Sequence, residues 1–145
     1  MNAVALRSPL ELIGVPYVRG GITPRDGFDC WSLVEYVRRV YFDLPSPLVD
    51  ARARAGLAAA IRTIEAAKVS GEWVAIDPPG DAGSVVGMAF AGRLFLHHVG
   101  VSLGALGVLH AWAGIISNGR GSVTLTPWAR IADRFKVVEV YAWRA

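Results

Sequence analysis

The chain has 145 residues, 53% of them apolar and 19% charged, with a net charge of +3 and a single cysteine. That length suits one domain around one core, and that apolar fraction excludes a disordered chain. One cysteine excludes an intramolecular disulfide and, with the Cys/His spacing, a structural zinc finger; the basic residues behind a pI near 9.4 are scattered, without the aromatic-interleaved patch of a nucleic-acid binder.

Ser8-Pro9-Leu10-Glu11 joins a capping serine, a proline at the first helical position and a glutamate three after the cap, which predicts a short helix to Gly14. Glycines and prolines between Val15 and Gly27 predict an ordered loop. From Asp29 the apolar residues Leu33, Val34, Val37, Val40 and Tyr41 recur at helical spacing, with Asp29 as N-cap and Arg38 and Arg39 off the apolar stripe. An alanine- and arginine-rich second helix is expected from Asp50 to near Gly71. Beyond Asp77-Pro78-Pro79-Gly80-Asp81, valine, phenylalanine, leucine and glycine predict strands near 84–90, 95–103 and 107–113. Ser122 to Leu125 reads as another strand, Thr126-Pro127 as the cap of a short helix, and Lys136 to Tyr141 as a closing strand. Helices first and sheet after is the order of an α+β fold, with N-terminal helices packed on a mainly antiparallel sheet. Leu94 to Gly119 carries no Asp, Glu, Lys or Arg, but its histidines, glycines and alternation favour a buried hairpin over membrane insertion. Met1 to Pro9 lacks a long apolar run, so a chain made in the cytoplasm without a signal peptide is expected.

Cys30 falls at the start of the helix that Asp29 opens, where unpaired N–H groups favour a thiolate and can serve as oxyanion donors. A base for that thiol must be His97, His98 or His110. His97 and His98 are adjacent in a strand, so at most one can face a site. His98 and His110 share a face if paired residue numbers on their strands sum to an even value. A three-residue loop at 104–106 produces that register, and a two-residue loop separates them. In the favourable register His110 can orient the His98 ring, as the third member of a triad does. No metal, nucleotide or redox-cofactor motif is visible.

Gly14-Val15-Pro16-Tyr17-Val18-Arg19-Gly20-Gly21, followed by Gly27-Phe28-Asp29-Cys30-Trp31-Ser32-Leu33-Val34, resembles the signature of the NlpC/P60 cysteine peptidases. Pro79-Gly80-Asp81, His98-Val99-Gly100-Val101-Ser102-Leu103-Gly104 and Val108-Leu109-His110-Ala111 resemble further blocks of that family in the same order. The resemblance implies a papain-like fold and a thiol protease hydrolysing peptidoglycan stem peptides, typically between D-glutamate and a diamino acid. Cys30, His98 and His110 map onto its catalytic triad, Tyr17 matches a tyrosine lining the site, and Asp29 matches a residue that helps hold substrate in some members. Trp31-Ser32 departs from the family's D-C-S-G and places a large ring where substrate preference is set. The Asp-Cys-Trp sequence and bare domain are similar to the phage tail-tip branch and its relatives in gene transfer agents. The expected setting is then a virion or particle tail, with tail proteins as partners and the cell wall as the place of action. Two alternatives stay open: a structural tail-tip component docking through aromatics such as Trp112, Trp128 and Trp143, and an amidase or acyl transferase on the same fold.

Overall fold

The computed structural model of the chain describes residues 7–45, 73–89, 98–112 and 121–143, together with residues 66, 69 and 71. At the N-terminus Ser8 caps a single 3-10 turn, Pro9–Leu12, its hydroxyl accepting the Leu10 N–H at 3.2 Å. The predicted loop after it contains a small hairpin, β1 (Ile22–Thr23) and β2 (Gly27–Phe28). This hairpin folds back tightly. Gly27 has φ 101°, and a Cβ there would lie 2.7 Å from the Pro16 carbonyl oxygen, so only glycine fits. Pro16 and Tyr17 bridge to Ser122 and Phe28 respectively, which holds the loop against both the sheet and the start of the next helix.

That helix, α1, spans Cys30–Tyr41. Asp29 and Ser32 form a reciprocal capping box: Asp29 Oδ1 accepts the Ser32 N–H at 2.8 Å and Ser32 Oγ accepts the Asp29 N–H at 3.0 Å. Such caps contribute about 1 kcal/mol each. Leu33, Val34 and Val37 are fully buried, as their spacing requires. Arg38, placed off the apolar stripe, is also buried, at 1% exposure. It is tolerated there because Nε donates to the Pro45 carbonyl at 2.8 Å, Nη1 donates to the Gly83 carbonyl, and the guanidinium lies 4.9 Å from the Trp73 ring centre. Burial nevertheless depresses its pKa to about 10.

The remaining strands are β3 (Trp73–Ile76), β4 (Val85–Ala89), β5 (His98–Ser102), β6 (Val108–Trp112), β7 (Ser122–Thr126) and β8 (Val137–Trp143). A short helix, α2 (Trp128–Arg134), joins the last two. They form one sheet in the order β3-β8-β4-β5-β6-β7, with every neighbouring pair antiparallel. Side chains alternate cleanly between its faces. On one face Val99, Val101, Leu109, Ala111 and Val123 pack against Trp31, Leu33, Val34 and Val37 of α1. On the other, Val86, Met88, Val108 and Val140 pack with Ile131 of α2 and with Phe135 just beyond it.

This α+β arrangement follows the expected order, with two additions and one reassignment. The β1–β2 hairpin and edge strand β3 were not expected, because two-residue strands and a four-residue edge strand carry too little alternation to register. Pro127, not Thr126, is the N-cap residue of α2, and no side chain caps that helix. The predicted second helix lies largely outside the described residues, although Ala66 and Val69 are helical. No helix among the described residues is long and apolar enough to cross a membrane.

Candidate active site

Three local devices bring Cys30 to the sheet. The capping box fixes where α1 starts, so Cys30 is its first residue. Asp29 Oδ2 accepts the Gly20 N–H at 3.2 Å, which pins the preceding loop to the same helix end. Cys30 then packs against the cluster of Trp31, Val34 and Val99, which seats it against β5.

The two histidines come together through register. Both β5–β6 pairs sum to an even number, and the connection is a three-residue 3-10 turn, Gly104–Leu106, closed by the Leu103 N–H bonding to the Gly107 carbonyl at 2.9 Å. His98 and His110 therefore share a face. Their rings meet with His98 Nε2 2.8 Å from His110 Nδ1. Gly100 makes this possible: a Cβ there would stand 3.0 Å from His110 Cβ and 2.9 Å from the Leu109 carbonyl oxygen. The His98 ring is also walled by Trp112, 5.0 Å away edge-on, and by Phe135, 5.8 Å away and stacked. His98 is 7% exposed and His110 wholly buried. His110 Nε2 in turn lies 2.8 Å from Thr126 Oγ1.

Electrostatics separate the two halves of the site. Burial, reinforced by the Asp29 carboxylate, pushes the Cys30 thiol up to about 12, and the nearby backbone N–H groups of Val99, Cys30 and Trp31 offset only part of that. The helix N-terminus thus fails to make a standing thiolate, contrary to what position alone suggested; desolvation is the larger effect here. His110 moves the opposite way. Burial first, then Arg134, lowers it to about 4, so it stays neutral at ordinary pH. A neutral Cys30 thiol and a neutral His110 imidazole are the resting forms that these environments favour.

The other candidates divide. Tyr17 is half-buried, and burial followed by the proximity of Cys30 and Asp29 pushes its phenol up, which puts its hydroxyl in the electrostatic neighbourhood of the sulfur. Both Asp29 carboxylate oxygens accept N–H groups of the chain itself. Trp31 is not on an open surface: at 6% exposure it packs with Val34, Trp73, Val85 and Tyr141. Trp112 and Trp128 are both partly buried against the α2 side of the sheet; the side chain of Trp143 and the whole of His97 lie outside the described residues. Two residues escaped the sequence reading. Ser32 completes the capping box, a pairing visible as Asp followed three residues later by Ser. Thr126 was read as a helix cap, and only the β6–β7 register, which sets Thr124 opposite His110, brings Thr126 diagonally within reach of the ring. Among the described residues no group of three or more His, Cys, Asp or Glu is placed to hold a metal ion.

No family model matches the chain. A gamma-DL-glutamyl hydrolase of Bacillus subtilis (strain 168) is 67% identical over 27 residues, which are 19% of this chain and only 6% of that protein's length. Among solved structures, the NlpC/p60 domain of the peptidoglycan hydrolase SagA matches over 100% of both chains, with a TM-score of 0.54 and 20% identity. A lipoprotein-like member of the NLP/P60 family from Staphylococcus aureus covers 94% of this chain and 39% of its own, with a TM-score of 0.49 and 18% identity. Helix α1 delivering Cys30 to an antiparallel sheet that carries His98 and His110 is thus set in an α+β, papain-like NlpC/P60 fold.

Proposed function

We propose that the chain is a cysteine peptidase that hydrolyses peptidoglycan stem peptides, with Cys30 as nucleophile, His98 as general base and acid, and His110 orienting His98. The observation that carries this reading is the 2.8 Å contact between His98 Nε2 and His110 Nδ1, on the strand whose Val99 belongs to the cluster that Cys30 packs against. With Nε2 committed to His110, Nδ1 is the His98 nitrogen assigned to the thiol proton. Because the thiol rests neutral, proton transfer accompanies attack: His98 takes the Cys30 proton as Sγ bonds to the scissile carbonyl carbon. Backbone N–H groups at the start of α1 then stabilise the oxyanion. The C–N bond breaks, the amine leaves with the proton from His98, and a thioester remains on Cys30. Water attacks that thioester with His98 again as base, which releases the carboxylate product and restores the thiol.

The substrate assignment rests on the sequence resemblance, on the fold shared with the SagA domain and on the short match to the gamma-DL-glutamyl hydrolase. The bond proposed is the amide between D-glutamate and a diamino acid, with Tyr17 and Asp29 at the substrate end of the site; Trp31, buried with Val34 and Trp73, acts on it only by packing beside Cys30. Delivery on a phage-like tail tip is proposed from the Asp29-Cys30-Trp31 sequence, and co-purification with tail proteins tests it. A zymogram of cell-wall material tests the chemistry: wild type should clear it, whereas Cys30→Ala and His98→Ala should not while remaining folded. Undiminished clearing by either variant would refute the assignment.

A further inference from the structure

We propose that Thr126 is a positioning residue that sets the tautomers of both histidines, leaving His98 Nδ1 unprotonated and able to accept a proton. The inference rests on the reading of His98 as base. Thr126 Oγ1, the His110 ring and the His98 ring form a row, with 2.8 Å from Oγ1 to His110 Nε2 and 2.8 Å from His110 Nδ1 to His98 Nε2. Thr126 is 4% exposed and His110 is wholly buried, so water does not compete for either contact.

A neutral imidazole has one N–H and one lone pair, so the role of one nitrogen dictates the other. If His110 Nε2–H donates to Thr126 Oγ1, His110 Nδ1 is an acceptor and takes the His98 Nε2–H. The lone pair of His98 is then on Nδ1. The reverse polarity, with the Thr126 hydroxyl donating to His110 Nε2, makes His110 Nδ1 a donor, forces the His98 proton onto Nδ1 and disables that nitrogen as a base. Only the first arrangement also survives proton transfer, because an imidazolium at His98 needs an acceptor opposite Nε2. Burial and Arg134 keep His110 neutral, as that role requires.

The backbone holds Thr126 where this works. A Cβ at Gly107 would lie 2.4 Å from the Thr126 carbonyl oxygen, so β6 and the end of β7 approach as closely as glycine allows. Thr126 pairs across from Val108, and its hydroxyl reaches diagonally to His110. With α2 capped without it, the hydroxyl has no helix-capping duty.

The test uses the full chain labelled with ¹⁵N-histidine, in wild type, Thr126→Val and Thr126→Ser. Imidazole ¹⁵N shifts report the tautomers, and turnover of a purified stem-peptide muropeptide reports kcat and KM. Wild type and Thr126→Ser should show Nε2–H at both His98 and His110. Thr126→Val, which keeps the shape and loses the hydroxyl, should show mixed tautomers at His110. Its kcat should be about tenfold lower, as loss of one hydrogen bond implies, with KM little changed. A wild-type His110 protonated at Nδ1 would overturn the proposal, even if the valine variant did not fold. So would a valine variant with wild-type tautomers and wild-type kcat. The tautomer measurement needs no substrate, so failure of the wild type to hydrolyse the muropeptide would count against the peptidase reading alone.

Discussion

The two arms of the site are built at different ranges in the chain. The Cys30 arm comes from immediate neighbours: Asp29 and Ser32 cap the helix, and Gly20 is tied to the same carboxylate. The histidine arm comes from three strands, with His98 on β5, His110 on β6 and Thr126 on β7, and it exists only in one register. Their electrostatics differ as well. Burial disfavours ionisation in both, which holds the Cys30 proton on and the second His110 proton off. On the proposed mechanism a local motif places the nucleophile, and its reactivity depends on the long-range arm.

If that dependence is real, the largest loss should follow removal of the base. His98→Ala, measured on protein confirmed folded by circular dichroism, should lower stem-peptide hydrolysis by about 10²–10⁴-fold, the usual contribution of a general acid–base group. Its Cys30 should also alkylate much more slowly with iodoacetamide at pH 7 than that of wild type, since the thiol is pushed up to about 12 without a proton acceptor. Equal alkylation rates would show the two arms to be independent. Next in size is Gly100→Ala. Its Cβ would press on His110 at 3.0 Å and on the Leu109 carbonyl, so activity should drop by about 10²-fold, the scale of a misplacement near 1 Å, while the fold survives.

Acid should weaken the histidine arm selectively. His110 is held to about 4 in the fold against 6.5 as a free side chain, so the unfolded chain binds the extra proton first. The stability associated with a neutral His110 is present above pH 6.5 and is lost as pH falls from there toward 4. Urea unfolding at pH 7 and pH 4 should therefore show wild type losing up to roughly 3 kcal/mol more than His110→Asn, which has no such titration. Equal losses would mean that His110 is not kept neutral by the fold. The smallest effect belongs to the local arm: Asp29→Ala should cost about 1 kcal/mol of stability through the lost cap, measured by the same urea titration.

The same difference of range governs what could be read from the sequence. Asp29 as N-cap, Cys30 as first helical residue and the buried Leu33, Val34 and Val37 follow from spacing over a few positions. Strands β4 to β8 were legible from β-branched residues and turns. The His98–His110 contact was legible only conditionally, because face and register depend on the loop at 104–106. The burial of Arg38 was not legible, because helical periodicity does not show the Pro45 and Gly83 carbonyls or the Trp73 face that admit a buried guanidinium. Thr126 was misread because a local capping pattern competes with a contact sixteen residues away. The thiol's upward shift was invisible, since desolvation depends on packing from α1 and the sheet together.

The central claim is that Cys30 and the histidine arm together cut a stem-peptide amide. Digestion of purified peptidoglycan followed by mass spectrometry of the released fragments tests it most directly, with Cys30→Ala as the matched control. The account predicts fragments ending at D-glutamate and new diamino-acid amino termini from the wild type, and none from the variant. The same fragments from Cys30→Ala, or none from a folded wild type, would contradict it.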